Sequence, residues 1–134
     1  MPFYASADQL YHCFEPLFAR LQAESPDAAQ AVHKSRLVFR FVCARPNARI
    51  TINGRHNPPQ ASFGPSALTP DLEVELAADT LHQILLGELS LRQALAANAM
   101  AVKGPAWKSF ILAPVFEQGK RLYPQVLREQ GLVG

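Results

Sequence analysis

The chain has 134 residues, 49% of them hydrophobic, with a net charge of +2 and two cysteines, Cys13 and Cys43. This length is one ordinary domain, able to bury roughly two thirds of the surface its unfolded form exposes. Two distant cysteines imply no disulfide framework, and no apolar run approaches the ~20 residues that cross a bilayer as a helix.

The start, MPFYASADQLYH, lacks the basic and continuously apolar parts of a secretory signal, so a cytoplasmic protein is expected. Ser6, Ala7, Asp8 and Gln9 form a capping box, and Leu10, Phe14, Leu17 and Leu21 recur at helical spacing. Pro16 falls inside that helix and predicts a kink or a break into two short helices near Glu15. Ser25, Pro26 and Asp27 open a second helix that ends around His33 or Lys34. Leu37, Phe39, Phe41 and Cys43 then alternate with Arg36, Val38, Arg40 and Val42, the strongest strand signal in the chain. A turn at Arg45 to Asn47 leads to a second strand with Ile50 and Ile52, and Asn53-Gly54 predicts a tight hairpin. Ala61 to Phe63 is a candidate third strand, followed by a loop from Gly64 to Pro70.

Asp71 to Leu112 reads strand, helix, helix, strand, helix. Leu72, Val74 and Leu76 alternate with Asp71, Glu73 and Glu75, the pattern of a strand with one wet face. Leu81, Ile84 and Leu85 switch to helical spacing, and Gly87 follows where a helix end favours positive φ. Ser90 to Gln93 is a second capping box; Met100 and Val102 mark a strand closed by Gly104. Pro105 suits the first turn of a helix carrying Trp107, Phe110 and Ile111. Pro114 and Gly119 are expected to limit helix length beyond it, leaving a short last helix over about 123–130.

Catalytic and metal-binding patterns are not found. The four histidines, His12, His33, His56 and His82, are scattered, and none pairs with another at the i, i+4 spacing that shares a metal. Asp79 and His82 stand three apart, but Asp79 is expected near a helix N-terminus, where negative charge is favoured. His12 and Cys13 are adjacent, and side chains on successive helical residues point about 100° apart. No catalytic residue and no cofactor is assigned. From Ala28 to Pro70 there is no Asp or Glu, while Lys34, Arg36, Arg40, Arg45, Arg49 and Arg55 lie inside. That run suggests either a nucleic-acid or acidic-membrane stripe or cross-strand pairing of Arg36 and Arg40 with Glu73 and Glu75; the second is preferred, and no nucleic acid is expected as a partner.

The stretch from Pro70 to Leu112 resembles the sterol carrier protein type 2 family of lipid-binding domains. The resemblance rests on the acidic alternating strand after Pro70-Asp71, on Leu81, Leu85, Gly87 and Leu89, on Ala94, and on Met100, Val102, Lys103, Gly104 and Leu112; Leu37 to Val42 is similar to that family's first strand. It covers roughly residues 36–116. Asn98 stands where members commonly have glycine, and Pro105 where a small polar residue is usual.

This resemblance implies one α/β domain over residues 1–134: N-terminal helices about 6–34, a core of 36–116, and the short last helix. A mostly antiparallel five-stranded sheet would carry helices on one face and enclose an apolar cavity. By residue type, its lining would be Phe39, Phe41, Val74, Leu81, Leu85, Met100, Val102, Trp107, Phe110 and Ile111. The implied function is non-catalytic binding of a lipid-like ligand: a sterol, fatty acyl chain, phospholipid or isoprenoid quinone. An accessory module of a lipid or ubiquinone biosynthesis complex, docking a protein partner through the apolar groove, stays open, as does transient membrane contact.

Overall fold

The structure is a computed structural model that describes residues 2–132, without the side chains of Ala106 and Trp107. Helices α1 (Ala7–Glu24) and α2 (Pro26–Ser35) precede strands β1 (Val38–Ala44), β2 (Ala48–Asn53), β3 (Gln60–Phe63) and β4 (Leu72–Ala77). Then follow α3 (Ala78–Leu85), α4 (Leu91–Ala96), β5 (Met100–Lys103), a 3₁₀ segment (Ala106–Leu112) and α5 (Ala113–Glu129). The strands form one sheet in the order β3-β2-β1-β4-β5. Only the central β1–β4 pair is parallel, so the sheet is mostly antiparallel, as expected.

Both helix starts fall where the sequence puts them, but only the second capping box is complete, since the Gln9 side chain accepts the Ala5 N–H in place of that of Ser6. Ser6 Oγ accepts the Gln9 N–H at 3.1 Å, and Ser90 Oγ and the Gln93 side chain exchange bonds with each other's backbone amides at 3.0 and 2.9 Å. Gly87 and Asn98 adopt φ of 79° and 57°, the left-handed conformation that each of these residue types tolerates.

Four local expectations are corrected. Helix α1 runs unbroken through Pro16, because Leu10, Cys13, Phe14, Leu17 and Leu21 keep both halves buried on one apolar face. The missing amide costs less than exposing either half. The last helix is long, not short: Pro114 sits at its first turn, where no donor is needed, and Gly119 lies inside it. Burial of Phe116, Leu122, Tyr123, Val126 and Leu127 carries it through Pro124. The segment with Phe110 and Ile111 is 3₁₀, not α-helical.

Asn53-Gly54 makes no two-residue hairpin, since β3 pairs Gln60 with Asn53 and residues 54–59 bridge the strands. Gly54 is needed for a different reason. A Cβ there would stand 2.5 Å from the Leu37 carbonyl oxygen and 2.7 Å from that of Val32. Only glycine lets the chain pass this close to the α2–β1 junction.

Candidate functional site

The pairing registers line up one apolar row across all five strands. Phe63, Ile50, Phe41, Val74 and Val102 are successive cross-strand neighbours, and all belong to, or pack against, the hydrophobic core. A period-two alternation on every strand puts these side chains on the same face. Helices α1, α3 and α5 cover that face and leave space against it.

Two apolar chambers lie along the row. The inner chamber, about 70 Å³, is bounded by Ile50 and Phe63 of the sheet, Phe14, Leu17 and Phe18 of α1, Leu81 and Leu85 of α3, and Val115 and Gly119 of α5. The outer chamber, about 240 Å³, lies over Val74 and Val102 and is closed by Leu91 and Leu95 of α4, Met100 of β5, and Ser109, Phe110 and Leu112 of the 3₁₀ segment. Phe41 and Phe116 line both chambers, meeting edge to face with centroids 5.9 Å apart. The outer chamber reaches solvent beside Phe110, which is 78% exposed, and Leu95, which is 43% exposed. Among the described residues, Arg92 is the one charged side chain lining either chamber.

The lining expected from the sequence divides accordingly. Leu81 and Leu85 line the inner chamber, Val74, Met100, Val102 and Phe110 the outer, and Phe41 both. Phe39 is fully buried and, like the half-buried Ile111, lines neither. The Trp107 side chain lies outside the described residues. The contribution of α1 was not visible in the sequence: helical periodicity marks its apolar positions as core without distinguishing a packed side chain from one facing a void.

The ionisable groups are arranged for structure. Asp79 lies in the first turn of α3 and accepts the Phe3 N–H at 2.9 Å. His82 turns instead to Tyr123, whose hydroxyl lies 2.6 Å from Nδ1 and in turn bonds the Tyr4 hydroxyl. Phe3 stacks on the His82 ring at a centroid distance of 3.7 Å. Burial lowers the His82 pKa, and raises those of Tyr4 and Tyr123 because each phenolate would be desolvated. The Cys43 thiol is pushed up to about 12 by burial. Among the described residues no group of three His, Cys, Asp or Glu side chains is placed to hold a metal ion.

The cationic run also differs from expectation. Arg40 is opposite Glu73 in the parallel register, yet its guanidinium bonds Thr51 Oγ1 at 3.1 Å and the Leu68 carbonyl. Glu75 pairs with Lys103 at 2.5 Å and Asp71 with Arg55 at 2.9 Å. Arg36 leaves the strand to cap α2 at φ 56°. The loop over 64–70 draws Arg40 away, because a carbonyl acceptor held over the sheet competes with a half-exposed carboxylate whose charge water screens. No described helix is long and apolar enough to cross a membrane.

Comparison with known proteins supplies the family. No curated protein matches the sequence. Among solved structures, the sterol carrier protein domain 2 of Helicoverpa armigera is similar, with a TM-score of 0.68 at 13% identity over 84% of this chain and 89% of that one. The palmitated SCP2L2 of Aedes aegypti gives 0.61 at 21% identity, over 79% and 92%. A ubiquinone synthesis protein with an SCP2 fold gives 0.53 at 16% identity, over 77% and 84%. The family model described as the SCP-2 sterol transfer family matches residues 18–115, well over half the sequence, and the chain belongs to that family.

Proposed function

We propose that this protein binds and carries a hydrophobic, lipid-like molecule and performs no chemistry on it. The observation behind this reading is the apolar row from Phe63 to Val102 with unfilled space above it, open at the end where Phe110 and Leu95 are exposed. Membership of a sterol transfer family agrees with it, and so does the palmitate held by the mosquito relative. Transfer from water contributes roughly 0.8 kcal/mol per buried methylene, so ten methylenes contribute about 8 kcal/mol before ordering costs. The mechanism is therefore desolvation: an alkyl chain leaves water or a membrane for the space beneath the helices and is released by the reverse route.

Vesicle transfer tests this reading. Donor vesicles carrying a self-quenched fluorescent acyl lipid should lose it to acceptors at a rate that rises with protein concentration. A rate independent of protein would refute the carrier function. A second reading, an accessory module that docks a protein partner, is favoured by the exposure of Phe110 at the mouth. It predicts a stable complex that Phe110→Ser abolishes, with no lipid transfer.

A further inference from the structure

A chain of buried polar groups lies behind the inner chamber and takes no part in lining it. His82 Nδ1 is 2.6 Å from the Tyr123 hydroxyl, which bonds the Tyr4 hydroxyl, and Tyr4 also bonds the Cys13 thiol. We infer that residues 3–5 form an acid-released strap: protonation of His82 frees Phe3 and Tyr4 from α3 and α5 and loosens the chamber wall at Phe14. This goes beyond the carrier reading, because the strap opens or stays shut whatever the chambers hold.

Three consecutive residues make the strap. Phe3 donates its N–H to Asp79 Oδ1 at 2.9 Å, in the first turn of α3, and stacks on the His82 ring. Tyr4 reaches α5 through Tyr123, and both side chains are fully buried. Ala5 donates its N–H to Gln9 Oε1 of α1 at 2.7 Å. The strap therefore ties α1, α3 and α5 together at one place. Phe14 stands there, its ring 6.2 Å from that of Tyr4 and 6.0 Å from that of Tyr123, and it bounds the inner chamber together with Leu81, the neighbour of His82.

The direction of the hydrogen bonds makes His82 the lock. A neutral ring can accept at Nδ1, so Tyr123 donates to His82, Tyr4 to Tyr123, and the Cys13 thiol to Tyr4; each hydroxyl proton then has a nitrogen or oxygen acceptor. A protonated ring can only donate. Every bond must turn round, and the Tyr4 proton is left with sulfur, a weak acceptor. The groups facing the half-buried ring are Phe3 and Tyr4 of the strap, Tyr123 of α5, and the carboxylates Asp79 and Glu88. The α5 cations nearest Tyr123 in sequence are engaged elsewhere, Lys120 with Glu117 and Arg121 with Glu24. Burial disfavours the charged ring by more than the two carboxylates favour it. Once the strap lifts, the ring meets water, so the open form takes the proton first as pH falls below about 6.5.

Native-state amide exchange followed by NMR tests this. The Phe3 and Ala5 amides should exchange through a local opening that low urea does not accelerate, whereas Phe39 and Phe41 in β1 exchange only by unfolding. Between about pH 7.5 and 5, corrected for intrinsic rates, protection of Phe3 and Ala5 should fall about fivefold, the scale of one net hydrogen bond. His82→Asn offers a neutral acceptor at every pH and should abolish that fall; His82→Gln serves if the asparagine variant does not fold by circular dichroism. Tyr123→Phe removes the central hydroxyl and should show the loosened strap already at the higher pH, with Tyr4→Phe as its substitute. Protection that does not change with pH in the wild type, or an equal fall in a folded His82 variant, would overturn the inference. So would strap amides that follow the urea dependence of β1, since no separate opening would then exist. None of these results bears on whether a lipid is carried, which vesicle transfer decides.

Discussion

Gly119→Ala is the substitution whose sign reports most directly on whether the interior is hollow. Gly119 is buried inside α5, lines the inner chamber and has no positive φ, so alanine meets no backbone obstacle there. Its Cβ would lie 3.1 Å from Leu85 Cδ2, tighter than normal contact by a few tenths of an ångström. Replacing a mid-helix glycine by alanine contributes about 1 kcal/mol in favour of the helix. Forcing a methyl into a solid core costs about 1–3 kcal/mol. Leu85 Cδ2 is the end of a flexible side chain that borders the same 70 Å³ space, so it can give way into the void. The helix term then prevails, and Gly119→Ala should raise stability by about 0.5–1 kcal/mol, seen as a higher urea midpoint at unchanged slope. The same methyl should weaken binding of the longest acyl chains, since it takes inner-chamber space. A loss of more than about 1 kcal/mol would refute the reasoning, because it would mean that Leu85 has nowhere to move.

Gly54→Ala should act oppositely, destabilising by about 2 kcal/mol or more in the same assay, since both atoms it meets are backbone carbonyls that cannot yield. A near-neutral result would refute the close-approach account. His82 is held neutral by burial, so its folded-state pKa lies below the ordinary value near 6.5. The unfolded chain then binds the extra proton first as pH falls. Stability should be level above about 6.5 and decline below it until the folded pKa is passed, and His82→Asn should flatten that decline. An identical pH profile in the variant would exclude this assignment. Cys43, raised to about 12 and buried, should resist thiol reagents at pH 8 in the folded protein and react on unfolding; rapid labelling of the native thiol would contradict its placement.

Much of the fold was legible because local signals agreed. The capping residues Ser6 and Ser90, the alternation from Leu37 to Cys43 and from Leu72 to Leu76, and the left-handed turns at Gly87 and Asn98 each act through backbone chemistry within a few residues. Errors arose where tertiary packing overrode such a signal. Pro16, Gly119 and Pro124 weaken helices locally, yet burial of one continuous apolar face holds α1 and α5 together across them. Asn53-Gly54 carries turn chemistry, but the close approach of Leu37 and Val32, distant in sequence, decides what Gly54 does. The site was only half legible for a similar reason. Phe41, Leu81 and Val102 could be assigned to the inner face of the sheet or to the helices over it, but whether a face is filled or hollow depends on how far α1 and α5 stand from the sheet. The division at Phe41 and Phe116 joins residues 75 positions apart.

Native mass spectrometry of the protein, purified without detergent and titrated with a fatty acid, tests the central claim most directly. The account predicts a single adduct of the ligand's mass, displaced by a competing chain and lost on unfolding. A spectrum of bare protein at every ligand concentration, with no bound molecule carried through purification, would contradict it.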